Sequence, residues 1–568
     1  MCSLKLRRVW LRIIHKFTEI WRTLIAKSAS RRRRRRLTNA IAHETRHIVN
    51  KSRHARETTD VCVIGSGAGG AVVAKELAEA GISVIILEAG EHHEPSTFTE
   101  YEPDMLRRLF WDSGLRRTRD GAILISQGRG VGGSTVHNFC YAVRPPQPLL
   151  DRWGIPELSS ALARVEETLN VKQIEESEVN RLNAVIRRGC EAMGWRGTVQ
   201  RHNRGACAAC GARCLFGCPN STPTEPVGAV SKRAAGKQSM AVTYIPLALA
   251  AGARLYSNCL AEAVLVENGK AVGVSARLPS GELTIRSKAV VLAAGAINSP
   301  QLWLKSRLPE LNRHVGRNLH LHPAVFVGGI FDEIIDGHLG IPQSYYIDEF
   351  LDVEDARLQS AHISTADRVC NPPHTDSGYL LMPAFGSQMI VAASLPGFGK
   401  SHRELMERYR HIAALLVLLH DKTSGRVSLN RDGTPRIAYR LNREDKAVLI
   451  EGAINAARLL FAAGAREILM PYTQHVRIKT EADLEIICQR GVVPNDVMLA
   501  SSHPQGTLRM GEDAATSVVT FSGEARAVRN LFVADASLFP ASIGVPPTLT
   551  IAALADYVAH QIVRTIAT

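Results

Sequence analysis

No run in this 568-residue chain approaches the roughly 18 consecutive apolar residues that a membrane-spanning helix needs, and Ile412 to Leu419 is typical of its longest apolar stretches. No N-terminal segment has the apolar core of a secretory signal, and the eleven cysteines are an odd number. Both features argue against a disulfide framework and for a reducing compartment, so a cytoplasmic location, with peripheral membrane attachment as the variant, is expected. The block Arg31 to Arg36 is not a twin-arginine signal, because residues 37–51 after it are mostly polar. Internal repeats are absent, and that arginine block is the only low-complexity segment. The body of the chain also has no charge excess. Residues 1–56 hold 17 Lys and Arg against Glu19 and Glu44, which accounts for the whole net charge of +15. Nothing in the remaining charge points to an acidic partner, and no recognition module accompanies the arginines, so nucleic acid is not an expected ligand.

The basic extension, residues 1–57, has a pattern of its own. Trp10, Ile13, Ile14, Phe17, Trp21, Leu24 and Ile25 follow the spacing of one helix face, while Arg7, Arg8, Arg12, Lys16 and Arg22 fall largely elsewhere. An interfacial helix followed by a polybasic run suits an anionic membrane surface, reached through residues 1–36. A solvated tail, a misassigned start and a helix docked on a partner are the competing readings.

The length calls for two or more domains, and the composition is that of a soluble globular protein. The first of these opens on residues 61–88. Val61, Val63 and Ile64 lead into Gly65-Ser66-Gly67-Ala68-Gly69-Gly70, a helical pattern follows, and a second apolar run ends at Glu88. Strand, glycine turn, helix, strand and acid make a dinucleotide-binding unit. Gly65 permits the tight turn, Gly67 lets backbone N–H groups reach a pyrophosphate, and Gly70 lets helix and strand pack closely. The helix N-terminus faces the phosphates with its positive end, and Glu88 is placed to accept hydrogen bonds from a ribose.

More motifs follow in order. Gly128-Arg129-Gly130-Val131-Gly132-Gly133-Ser134-Thr135-Val136-His137-Asn138 is a second glycine cluster. Val290-Val291-Leu292-Ala293-Ala294-Gly295 reads as strand and helix start. Ser502-His503-Pro504-Gln505-Gly506-Thr507, Leu531-Phe532-Val533-Ala534-Asp535 and Gly544-Val545-Pro546-Pro547-Thr548 stand near the end. From about Asp60 onward, this series resembles the glucose–methanol–choline (GMC) flavin oxidoreductase family. The resemblance implies an α/β fold in which a Rossmann-type FAD-binding domain is interrupted by a mixed-sheet substrate-binding domain. Its expected parts are residues 58–150, 225–315 and 495–568 for FAD, and 151–224 with 316–494 for the substrate domain and a cysteine-rich segment.

The same resemblance implies FAD and oxidation of an alcohol at a CH–OH group. Gly65, Gly67, Gly70 and Glu88 would then hold the ADP half. Gly132, Gly133 and Asn138 would line the flavin ring, Asp535 would lie near the ribityl–pyrophosphate region, and His503 would be the active-site histidine. Alcohol oxidation moves a hydride to flavin N5 and a proton to a base, and an imidazole, largely neutral near pH 7, suits the second task. The bland reading of His503 is a packed histidine after a strand. One departure stands out: Pro546 replaces the Asn or His that the family uses beside the first histidine. His137 sits where some relatives bond the flavin covalently, and a histidine packed on the flavin without a bond is the alternative.

Cys207, Cys210, Cys214 and Cys218 crowd into twelve residues ahead of Pro219. An iron–sulfur cluster like that of FAD-dependent sugar dehydrogenases, a zinc site and unligated cysteines are the three readings. Residues 237–251 carry a helical signal interrupted by Pro246, residues 447–462 are a helix by period, and Asn430-Arg431-Asp432-Gly433 is a hairpin-like turn. Two activities beside alcohol oxidation remain in view: a sugar or sugar-acid dehydrogenase draining electrons through a cluster, and a membrane-docked electron carrier. The sequence leaves open the alcohol, the acceptor (oxygen, a quinone or an electron-transfer protein) and the oligomeric state.

Overall fold

The computed structural model describes residues 54–207, 210, 212–222, 235–351 and 378–567. The chain divides into two units, Met1–His54 and Ala55–Thr568, and the described residues fall almost wholly in the second. The helix and arginine block expected in residues 1–57 lie outside the described residues up to position 53, as does 223–234 of the cysteine-flanking loop.

Two sheets organise the second unit. The first runs Arg254–Tyr256, Val84–Leu87, His54–Ile64, Gly281–Leu292, Lys270–Leu278, Leu260–Glu267, with Leu531–Val533 pairing Gly281–Leu292. Its centre is parallel, with Val61 opposite Val84 and Leu292 opposite Val533. Val61, Val63, Ile85, Ile86, Val290 and Leu531 are buried, as expected of parallel strands covered on both faces. The helix Gly70–Glu79 crosses between the first two strands and packs against Tyr244–Ala250 and Thr548–Ala567.

The second sheet runs Ile123–Ile125, Leu499–Ser501, Ala324–Ile330, Ile412–Leu419, Tyr379–Pro383, Tyr345–Ile347, Gly197–Val199, with Glu467–Leu469 joining at Ala324–Ile330. Its central strand is the apolar run noted in the sequence. Ala413, Leu415, Val417 and Leu419 belong to the core beneath the sheet, where helices Arg181–Ala192 and Arg443–Ala462 cover it. Ile412, Ala414, Leu416 and Leu418 face a cavity instead. Neither face meets bulk water, which is why the strand shows no polar alternation.

Two helices differ from their sequence expectation. Arg443–Ala462 starts four residues earlier than its apolar period, because the Asn442 side chain caps the N–H of Asp445 and the first turn is acidic. The helix expected over 237–251 forms only at Tyr244–Ala250, with Pro246 in its first turn, where a missing N–H is tolerated. The residues ahead of it are used for packing: Lys237 is buried, and Met240 donates its N–H to the Thr135 hydroxyl.

Candidate active site

The two glycine turns meet. A Cβ on Gly133 would come within 2.9 Å of the Gly67 Cα, and Gly132 and Gly133 both take positive φ. Glu88 stitches the turns together. One carboxylate oxygen accepts from the Ser66 N–H and hydroxyl, and the other from the N–H groups of Gly90 and Gly130. The Ser66 hydroxyl in turn accepts from the Gly132 N–H at 3.2 Å. Glu88 thus spends its acceptor capacity on the loops. Asp535 plays a similar part, buried and accepting from the Gly295 N–H, the Ser299 hydroxyl and Ser537. Burial raises its pKa against those hydrogen bonds.

A cavity of about 1050 Å³ runs along these turns. Gly65, Gly67, Glu88, Gly133, His137, Asn138 and Asp535 line one part of it, whereas Gly70 and Gly132 stand behind the wall. The helix Gly70–Glu79 points its N-terminus at the cavity with no side-chain cap, leaving N–H groups and a positive end for an anion. The volume, the uncapped helix and the glycine cradle fit a dinucleotide such as FAD. His137 packs on Phe110 with ring centroids 3.9 Å apart, and its buried Nε2 has no protein partner. Burial, then the charge of Lys237, lowers its pKa to about 3. The Asn138 side chain accepts from the Cys140 N–H.

Elsewhere the same cavity is lined by His503, His322 and Pro546. Pro546, as expected, brings no donor. His322 is the partner that the sequence reading missed. Its Nδ1 lies 3.3 Å from Nδ1 of His503, and the rings stand edge to face. The Gly544 N–H donates to His322 Nε2 at 3.1 Å, and the Gln505 amide does so at 2.9 Å. Gln505 is itself oriented by Ile543, whose N–H donates to its Oε1. With two donors on Nε2, the proton of a neutral His322 belongs on Nδ1 and points at His503. His503 then accepts at Nδ1, so its resting proton sits on Nε2.

Both rings are neutral near pH 7. Burial lowers the His503 pKa to about 4, with Asp421 opposing, and burial takes His322 well below its ordinary value. Beneath them Asp421 accepts from the N–H groups of Leu321 and His322, from Tyr439 and from Ser542. Burial works to raise the Asp421 pKa, yet His320 and these donors hold the carboxyl well below the usual range. A signal for His322 was present in the paired histidines of His320-Leu321-His322-Pro323, but His322 takes a left-handed φ of 46°, so no regular strand alternation places its ring. The meaning of that signal depended on residues 99 and 181 positions away.

Among the described residues no three His, Cys, Asp or Glu are placed to hold a metal ion. Cys207, Cys210, Cys214 and Cys218 are free thiols. No step is routed through a cluster. Instead the segment braces the second glycine turn. Lys237 donates to the carbonyls of Val136, Asn138 and Cys214, and the buried Arg204 donates to Cys207 Sγ at 3.2 Å.

Comparison with known proteins agrees with this arrangement. The GMC oxidoreductase N-terminal and C-terminal family models match residues 106–324 and 421–555, and an FAD binding domain model matches residues 58–97. The chain is 31% identical over 516 residues to the uncharacterized GMC-type oxidoreductase Rv0492c of Mycobacterium tuberculosis, covering 89% of this chain and 76% of that one. The chain belongs to the GMC oxidoreductase family. Long-chain-alcohol oxidase FAO3 of Arabidopsis thaliana is 27% identical over 568 residues, covering 94% of this chain and 72% of that protein. The fold is shared with formate oxidase of Aspergillus oryzae, at TM-score 0.63 and 17% identity, covering 90% of this chain and 99% of that one. It is also shared with pyridoxine 4-oxidase from Mesorbium loti, at TM-score 0.60 and 17% identity, covering 89% and 99%. This GMC flavoprotein therefore carries an FAD-binding domain, and no helix among its described residues is long and apolar enough to cross a membrane.

Proposed function

We propose that this GMC oxidoreductase oxidises apolar alcohols, with His503 accepting the hydroxyl proton beside an FAD that would supply the hydride acceptor. The observation that carries the reading is a single cavity shared by the glycine turns and by His503. Gly65, Gly67, Gly133, Asn138 and Asp535 would hold the cofactor, with the first sheet serving it and the second shaping the substrate chamber. When bound, FAD supplies a two-electron hydride acceptor.

The chain's own residues do the rest. The second sheet offers Phe326, Met382, Leu416 and Leu418, and Met389, Ile390 and Leu395 line the cavity as well, so an alkyl group replaces water there. His503 meets the alcohol oxygen. In the resting tautomer its Nε2–H binds that oxygen. The hydroxyl proton is taken when His503 gives up its contact with His322 and presents a bare nitrogen. The long-chain-alcohol oxidases among the relatives support an alkyl substrate.

The test is anaerobic bleaching of the flavin by a series of fatty alcohols, sterols, sugars and polyols. Fatty alcohols are expected to reduce the flavin fastest, and His503→Ala is expected to slow that reduction by about 10²- to 10⁴-fold while FAD stays bound. Undiminished reduction in that variant would remove His503 from the mechanism. Fastest reduction by sugars would point to the sugar dehydrogenase reading instead.

A further inference from the structure

An apolar tip stands at one opening of the cavity. The helix Gln388–Ser394 consists of Met389, Ile390, Val391, Ala392 and Ala393 between Gln388 and Ser394, yet none of its residues is buried. Met389, Ile390, Val391, Ala393 and Ser394 line the cavity, so one side of this short helix faces the chamber. It rests on the helix Glu102–Leu109: the Met389 N–H donates to Glu102, and Ile390 packs on the cluster of Met105, Leu109 and Phe110. Leu115, just after that helix, is 70% exposed and also lines the cavity. Beyond the apolar helix, Phe398 is 89% exposed, held between Gly397 and Gly399, both at positive φ.

Around the tip stand long basic side chains. Lys400 and Arg403, on the helix Gly399–Glu407, are strongly exposed, with long contacts of 3.8 and 3.5 Å to Glu404 and Glu407. Arg117 is exposed at the cavity rim, and Arg107 is exposed but paired with Asp104 at 2.7 Å. Apolar side chains at the centre with long cationic stems at the margin are the arrangement of a lipid-interfacial surface.

We propose that the cavity rim carrying Met389 and Leu115, together with Phe398 on the loop beyond the apolar helix, seats in the surface of an anionic lipid bilayer, so that the cavity opens into lipid. The proposal rests on the reading of the cavity as a chamber for apolar alcohols. It supplies the physical route such substrates need, because long alkyl alcohols partition into lipid and are scarce in water. The excess of +15 in residues 1–56 would draw the same chain toward the same anionic surface. The rim is a separate contact, formed by residues of the folded body.

The experiment uses the full-length, FAD-loaded protein. A Phe398→Trp variant is mixed with phosphatidylcholine–phosphatidylserine vesicles in which part of the phosphatidylcholine is brominated on its acyl chains. The fluorescence added over the unsubstituted protein is expected to shift to the blue and to be quenched by the bromine atoms. Added fluorescence that remains red and unquenched, while the protein pellets with the vesicles, would overturn the proposal, since binding would then run through another part of the chain. Unquenched fluorescence in a protein that elutes as a dimer would also overturn it, by assigning the rim to a second copy. A Phe398→Asp variant supplies the kinetic counterpart. Oxidation of a vesicle-embedded fatty alcohol is expected to fall about tenfold, and oxidation of a short water-soluble alcohol to stay unchanged. Equal rates with both alcohols in the variant and the unsubstituted protein would count against the rim. Quenching needs no turnover, so lipid contact by a protein that no alcohol reduces would keep the surface and discard the chemistry.

Discussion

At the scale of the residue, the site is a matter of who holds which proton. His503 is half-buried in the cavity wall, and the groups acting on it are His322 directly and Asp421 through charge, with His320 and His420 acting on His322 through charge. Only neutral His503 can accept a proton. With its pKa lowered to about 4, it is neutral throughout the ordinary range and becomes protonated only in acid. The rate of flavin reduction by alcohol is therefore expected to be flat from neutral pH down to about 5 and to fall below about 4. Stopped-flow flavin reduction against pH checks this; a limb near 6.5 would mean a solvated imidazole. Glu88 shows how a position can be right and its bonding unexpected. The sequence placed it at the end of the second strand, facing a ribose. There it lines the cavity, but its carboxylate is already committed to Ser66, Gly90 and Gly130.

At the scale of the element, the cavity depends on how closely the second sheet and its helices approach. The helix Arg443–Ala462 lies on that sheet through Gly452, where an added Cβ would meet Val417 Cγ1 at 2.4 Å. Val417 is β-branched and buried, so it has little freedom to move aside. Gly452→Ala would gain about 1 kcal/mol in helix propensity, yet overpacking of this kind costs about 1–3 kcal/mol. The expected outcome is a net loss of stability, read as a lowered thermal midpoint of the FAD-loaded protein; a raised midpoint would show that the helix can lift off the sheet freely. The same sheet shows what was not legible. Eight apolar residues in a row, noted in the sequence only as too short to span a membrane, form a strand with a helix layer on one face and a chamber on the other.

At the scale of the whole molecule, acid should be the condition this protein tolerates least. His137, His322 and His503 are all held neutral by burial, below the ordinary histidine value of 6.5. The unfolded chain therefore binds more protons than the folded one as soon as pH drops through 6.5, and stability falls with it. Glu166 adds a second stage. Burial raises its pKa, but Arg144 and Arg201 outweigh that and bring it to about 2, so its contribution is present above the usual carboxylate range and lost as pH falls toward 2. Denaturant midpoints measured from pH 8 to pH 4 are expected to decline from about 6.5 downward. A midpoint unchanged between pH 7 and 5 would mean that these histidines are not neutral in the fold.

What the residues alone determined were the features carried by contiguous stretches. The turn from Gly65 to Gly70 can form because glycine reaches backbone angles and distances other residues cannot. The order of such stretches was enough to name the family and its cofactor. Tertiary structure decided the rest, because it depends on groups far apart in the chain. The pairing of His322 with His503 spans 181 positions, and the commitment of Glu88 to Gly130 spans 42. The four cysteines show the converse. Their spacing invited a ligand set, and what the fold adds is that Lys237 ties the segment to the second glycine turn through the carbonyls of Val136, Asn138 and Cys214. Spacing along a chain fixes which groups lie near one another only while the backbone between them is regular; across loops and between sheets, packing alone sets the distance.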